Sequence, residues 1–351
     1  YDNNAKKTDG NVYGKLTYEF LPGLNAFVDL QYRHISYKMS GSSQEFDDNK
    51  KQRPMELDKT YNFFNPKFGL TYDINPNHTV YASYAIAHKE PTRNDFEDMM
   101  AEATPVDPKA ERLNDLELGY KFQSPIFYAG VNLYYMVYDN QFVLTGAQDA
   151  NGEMVARNIK DSYRMGAELM AGLRPFKGFS WDINATWSKN RAKNMDITVV
   201  DPNTWAESTA NVGTTHLAYS PDFILGNLLS YEYKGFKASL QSKFVGEQYM
   251  TNSNFRSYLE SDGSQTSALI DSYFVNNLDL SYTFKWRGIK STTLGLTVYN
   301  LFGEEYESNG SCSMNFKREG QNIVAYNAGW AWATYSAQAP THFMAHLSIN
   351  F

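Results

Sequence analysis

Residues 115–139 read DLELGYKFQSPIFYAGVNLYYMVYD. Leu116, Leu118, Tyr120 and Phe122 alternate with Asp115, Glu117, Gly119 and Lys121. Beyond the turn at 123–126, Val131, Leu133, Tyr135 and Val137 alternate with Gly130, Asn132, Tyr134 and Met136. Successive side chains of a strand point to opposite faces, so each segment carries one apolar and one polar face. Each runs about 9–13 residues, the length a tilted strand needs to cross a bilayer.

Working outward, the same unit recurs. Strands are expected near 12–20, 25–37, 63–74 and 79–87 before the hairpin. After it they are expected near 162–173, 180–188, 223–233, 236–245, 275–285, 292–302 and 341–351. With the hairpin, which extends through Val143, this makes about thirteen. Short turns such as LPGL at 21–24, NPNH at 75–78, RPFKG at 174–178 and Lys234-Gly235 alternate with long polar stretches. The long ones span 38–60, 89–113, 145–156, 189–220, 246–271 and 303–340. Alternation of short periplasmic turns with long extracellular loops is the asymmetry of bacterial outer-membrane barrels. Such barrels have an even number of strands, so an odd count predicts further strands before the first residue.

Composition agrees. The 351 residues include 26 Tyr and 22 Phe, with 15% aromatic residues overall. Mean hydropathy is nevertheless −0.53, and no run approaches the ~18 apolar residues of a membrane helix. A soluble β-sandwich would also alternate, but its strands usually run about 5–6 residues. The fold class expected is therefore all-β, a transmembrane antiparallel β-barrel. Closure is required because lipid cannot satisfy the backbone groups of an open strand edge. The net charge of −7 gives no basic patch for nucleic acid. One cysteine, Cys312, allows no disulfide within the chain, and is expected to be an exposed, incidental thiol. The opening YDNNAKKTDG has no apolar signal core, which predicts a mature form or a fragment.

At its last hairpin the chain resembles the TonB-dependent outer-membrane receptors. Val298-Tyr299-Asn300-Leu301-Phe302, followed by Tyr306, is similar to that family's penultimate-strand signature. Phe343, Ala345, Leu347, Ile349 and Phe351 share one face of the terminal strand and resemble the signal read by the barrel-assembly machinery. His346 departs from it, standing where glycine is usual. Val80–Tyr84 followed by Glu90-Pro91, Glu117–Lys121, Gly166–Leu169 and Val245–Tyr249 are similar to further family strands. The resemblance covers nearly the whole chain. It implies the last 13 strands of a 22-stranded barrel, residues 1–351 being its C-terminal part, with the plug domain and TonB-contacting segment upstream. It also implies a localisation, the outer membrane of a Gram-negative cell.

The function so implied is ligand-gated, TonB-energised uptake of a scarce solute, foremost an iron–siderophore or other metal chelate. A glycan or oligosaccharide importer with a surface lipoprotein partner is the alternative within the family. A passive porin or structural barrel is the alternative outside it. The partners implied are TonB, outer-membrane lipid, lipopolysaccharide and a small-molecule ligand. No cofactor is expected, and no enzyme: HExxH and CxxC are absent, and GNVYGK at 10–15 misses the spacing of a phosphate loop. Among the six histidines only His342 and His346 are close in sequence. Four residues along a strand is about 13 Å, too far for one metal. Haem receptors of the family carry a ligand histidine in the loop that here spans 89–113, which has none.

Candidate ligand-binding residues are Arg93, Trp205, Arg256, Trp330, Trp332 and Tyr335. Trp330 and Trp332 are expected on one strand face, as an interfacial girdle or a ligand platform. The loop 89–112 holds seven carboxylates against four bases. It reads as a solvated lip, or as a Ca²⁺ site in which Glu97, Asp98 and Glu102 are the candidate ligands. A short helix is expected there, capped by Asn94. Inward Arg33, Lys121, Arg164, Lys237 and Lys243 are expected to pair with neighbouring carboxylates or with a plug.

Overall fold

The structure, a computed structural model, describes residues 2–46, 49–100, 107–148, 154–286 and 288–351. Its frame is a single antiparallel wall whose thirteen strands follow chain order. They are β1 (Asp2–Leu21), β2 (Leu24–Phe46), β3 (Leu57–Asn75), β4 (His78–Lys89), β5 (Glu111–Gln123), β6 (Phe127–Gln148) and β7 (Met154–Leu173). The wall continues with β8 (Phe179–Lys193), β9 (Phe223–Tyr233), β10 (Phe236–Val245), β11 (Tyr273–Trp286), β12 (Ile289–Tyr299) and β13 (His342–Asn350). Each pairs with the next, and β1 and β13 pair on one side only among the described residues. The one helix among those residues, α1 (Arg93–Met100), follows β4. Among the described residues no helix is long and apolar enough to cross a membrane.

The period-two pattern sets the wall's two faces. Leu116, Leu118, Leu133, Tyr135, Leu169, Leu294 and Leu296 lie exposed on the apolar face, where a soluble protein would bury them. That arrangement fits a lipid-facing surface. Register is continuous from strand to strand, so Leu118 stands opposite Leu133 and Leu133 opposite Ala167. Chain reversal at the short end uses left-handed backbone. Lys234 and Gly235 have φ of 47° and 87°, the two positive values of a tight hairpin turn.

On the polar face, rings lie over glycines of the neighbouring strand. Phe27 stands opposite Gly69, Tyr81 opposite Gly119, Tyr128 opposite Gly172 and His346 opposite Gly295. A Cβ on those glycines would come within 2.2, 2.0, 2.0 and 1.9 Å of the respective ring. The histidine in the terminal strand is therefore accommodated by a glycine in the strand beside it.

Strand lengths depart from the sequence reading in one half of the wall. β9 and β10 match it. β1, β2, β3, β6 and β7 span 20, 23, 19, 22 and 20 residues, well beyond the roughly 9–11 that cross a bilayer. Much of the stretch expected as a polar loop at 38–60 is thus strand, including Gln52–Pro54 paired with β2. Outside the bilayer both faces of a strand carry polar residues, and the alternation that marks it disappears.

The second half builds its outer end differently. The connections 194–222, 246–272 and 300–341 fold into small sheets above the wall. Asp196–Val200 pairs with Glu207–Asn211, Glu307–Ser313 with Trp332–Ala337, and Ser257–Leu259 joins Gln265–Ser267, Asn315–Glu319 and Asn322–Tyr326. Met250, Tyr258, Ala268, Ile270, Cys312 and Ala325 form a buried core between them. Phe255 and Phe316, with ring centroids 5.2 Å apart, connect it to a second cluster of Ile197, Val199 and Ala210. We call this assembly the cap.

Candidate functional site

The expected exposed thiol is a correction. Cys312 is 1% exposed in the cap core, because the strand Glu307–Ser313 is covered by neighbouring loops. Burial pushes its thiol up to about 12, so it stays protonated. Tyr219 is held above its usual range by the same burial, and its hydroxyl donates to the Gly310 carbonyl at 3.1 Å. Asn252 ties the cap to the wall by donating to the carbonyl of Leu144 at 2.7 Å.

The cap also holds most of the expected ligand residues, and keeps them apart or engaged. The strand Trp332–Ala337 begins after Trp330, so these two tryptophans do not share a strand face. Trp330 is 67% exposed on the turn before it, and Trp332 stands opposite Ser313. The Tyr335 hydroxyl donates to the Ser267 carbonyl at 2.8 Å. Trp205 is 59% exposed at the tip of its hairpin with φ of 58°. Arg256 forks onto Glu247 at 2.7 and 2.6 Å and lies 5.9 Å from the Tyr249 ring centre.

Arg93 is placed elsewhere, in a cavity of about 400 Å³ at the outer end of β1 and β2. Lys7, Arg33, Tyr37, Lys89, Glu90 and Arg93 line it, together with Pro91 and Thr92. Arg33 lies on the polar face of β2, alternating with exposed Leu30 and Tyr32. Tyr37 and Met39 continue that face, and with Met55 and Leu57 they receive Phe96, which is fully buried. Helix α1 is therefore folded onto the inner face of the wall and not over the outer lip.

The helix start explains this placement. Thr92 and not Asn94 is the cap: its hydroxyl and backbone N–H both donate to Asp95 Oδ2 at 2.7 Å, and the Asp95 N–H returns to Thr92 Oγ1 at 3.3 Å. The arrangement is a capping box with aspartate in place of glutamate. Arg93 Nε donates to Glu97 Oε1 at 2.6 Å, and its guanidinium also reaches Asn3 on β1. Of the expected cation ligands, Glu97 is thus engaged by an arginine. Asp98's side chain and Glu102 lie outside the described residues. Among the described residues no cluster of three His, Cys, Asp or Glu side chains could hold a metal.

Glu90 is the centre of the cavity. It is 8% exposed, accepts from Lys7 Nζ at 2.5 Å, and receives the Arg33 fork at 2.9 and 3.0 Å. Burial alone would raise its carboxyl pKa, but the Lys7 hydrogen bond and the charges of Arg33 and Lys7 hold it below the usual value. Arg33 also binds Asp9 at 3.0 and 2.5 Å, and Lys89 faces Glu111 at 3.7 Å. Four cations thus line one cavity, each held by an internal carboxylate. Sequence reading expected pairing for Arg33, but not this meeting: Lys7 and Glu90 are 83 residues apart, and only the β1–β2 register brings Lys7 beside Tyr37. Lys121 is placed over the Tyr81 ring, and Arg164 donates to Asn190 and Ser220.

A long antiparallel wall with an apolar outer face, a polar inner face, short turns at one end and folded loops at the other defines an outer-membrane β-barrel. The chain belongs to the TonB-dependent receptor family: the family described as TonB dependent receptor-like, beta-barrel matches residues 1–301. Members of that family are outer-membrane transporters and not enzymes.

Solved structures show the same fold. The closed form of the ferric-catecholate import receptor Fiu from E. coli K12 is 18% identical with a TM-score of 0.67, over 99% of this chain and 45% of that one. The siderophore receptor PiuA from Acinetobacter baumannii is 13% identical with a TM-score of 0.69, over 99% of this chain and 44% of that one. The ferric yersiniabactin uptake receptor FyuA from Yersinia pestis is 16% identical with a TM-score of 0.60, over 98% and 46%. The chain thus spans less than half the length of these proteins. No curated protein matches it.

Proposed function

We propose that the chain is the C-terminal part of the barrel of a TonB-energised outer-membrane transporter, and that its cargo is an anionic metal chelate of the iron–siderophore kind. Lipid cannot satisfy an open edge, so β1 and β13 are to be paired by further strands in the membrane. The observation that carries the cargo reading is the cavity at the outer mouth, where Lys7, Arg33, Lys89 and Arg93 converge on the polar face. Arginine forks suit carboxylate and catecholate oxygens, and a partly desolvated site strengthens them. Siderophore import by the structurally similar Fiu, PiuA and FyuA supports the same class. The terminal face of Phe343, Leu347, Ile349 and Phe351 is proposed as the assembly signal. Arg256, Trp205, Trp330, Trp332 and Tyr335 are proposed as secondary contacts on the cap.

The test is growth under iron starvation with anionic or neutral ferric chelates as the iron source, using the intact protein and its Arg33→Met variant. Loss of one charge-assisted pair is worth about 1.5 kcal/mol, or about tenfold in affinity. Growth on an anionic chelate is expected to depend on the protein, with binding weakened about tenfold in the variant. Dependence on no chelate, or equal binding by both proteins, would overturn the reading.

A further inference from the structure

The cations that line the cavity are already occupied by the protein's own carboxylates. We infer that Glu90 is an internal stand-in for the ligand: its carboxylate clamps the helix-bearing loop onto the inner wall, and an anion entering the cavity releases that loop by taking Glu90's place on Lys7 and Arg33. The inference rests on the reading of the cavity as an anion site.

Three observations support it. First, Glu90 makes the contacts a ligand carboxylate would make. One oxygen takes Lys7 Nζ at 2.5 Å, and both take the Arg33 fork at 2.9 and 3.0 Å. Exchanging one such anion for another keeps both cations paired, whereas withdrawing Glu90 without replacement takes away the carboxylate Lys7 holds and one of the two on Arg33. Second, the exchange leaves Arg33 in place. Asp9 holds its other edge at 3.0 and 2.5 Å, so the guanidinium stays aimed into the cavity when Glu90 departs.

Third, Glu90 is coupled to α1 with little slack. Proline follows it, which fixes φ at Pro91 and restricts Glu90 to extended backbone. Thr92 comes next and is locked to Asp95 by the capping box. Displacing the carboxylate therefore removes the ion-pair anchor next to the helix start and frees that segment to move. Phe96 in its socket and Arg93 on Asn3 oppose that motion, so the loop stays down until an anion enters. The strands β1 and β2 remain paired throughout, and the rearrangement is confined to residues near 90–97.

The experiment compares the intact outer-membrane protein with Glu90→Gln, which keeps the shape of the side chain and removes its charge. Citrate, free of iron, is the probe, read by calorimetry, with amide deuterium exchange over residues 90–97. Citrate is expected to bind Glu90→Gln at least tenfold more tightly than the parent. Exchange over 90–97 should rise at least tenfold on citrate binding in the parent, and be high in the variant without citrate. Glu90→Asp, which keeps the charge but draws it back by one methylene, should fall between the two and serves if Glu90→Gln does not assemble. Equal citrate affinity in parent and variant, with unchanged exchange, overturns the stand-in while leaving the anion site intact. Citrate binding by neither protein overturns the anion site, and the stand-in with it.

Discussion

The two halves of the wall finish their outer ends by opposite means. From β1 to β7 most strands run on past the bilayer, and the segment from Glu90 to Glu97 turns inward and is held by ion pairs around Glu90. From β9 to β13 the strands stop after 9 to 14 residues, and the connections fold over the wall around an apolar core. The first arrangement joins the Phe96 socket to a set of charges, which other charges can replace. The second depends on shape and burial, which tolerate little exchange. The inward loop is thus suited to move and the cap to stay, although both stand at the same mouth.

The largest expected effect is in the cap. Ile270 is 1% exposed and packs with Met250 and Cys312. Ile270→Ala should cost about 2–5 kcal/mol of local stability, the range for a truncated core side chain. Alkylation of Cys312 reports it directly, being slow in the parent and faster in the variant. Heat-modifiable migration on gels, which reads the wall, should not change. Loss of wall migration together with cap protection would show that the cap has no separate stability.

A change of similar or slightly smaller size is expected on the lipid face. Leu118 lies near the middle of β5, exposed on the apolar side. Leu118→Lys should destabilise the wall by about 2–4 kcal/mol, measured by folding into lipid vesicles, while Cys312 remains protected. A neutral result would mean that this face is not in contact with lipid.

The smallest effect sharpens the contrast by acid. Glu90's carboxyl is held below its usual value, so its contribution is complete above the ordinary glutamate range near pH ~4.3 and is lost as the pH falls through the lower folded value. Deuterium exchange over 90–97 should rise as the pH falls below that range, and exchange in the cap around Ile270 should not. Equal responses in both regions would remove the distinction between them.

These differences also explain what the amino-acid sequence reveals. Leu118 and Leu133 announce the wall, because lipid on one side and polar packing on the other force strict alternation. Above the bilayer that contrast vanishes, and residues 38–46 of β2 look like loop. The cap core is hidden for another reason. Met250 and Ile270 come from opposite ends of one connection and Cys312 from another, with no common period, so burial there is a product of folding and not of local pattern. For the same reason Arg93 could be named as a candidate while Lys7, Asn3 and Glu90 could not. Their partnership needs the register of β1 on β2 and the inward turn of α1.

The rings seated over glycines have a further meaning for assembly. A strand that slides by two residues keeps its apolar and polar faces, so the two-face pattern alone cannot detect the error. The His346 ring can. Slid by two, it would stand opposite Thr293 or Thr297 instead of Gly295, and meet a branched side chain where it now finds an open seat. Each such pair works as a key in a lock cut for one alignment. The last strand of the wall thus carries its own proofreading of where it belongs.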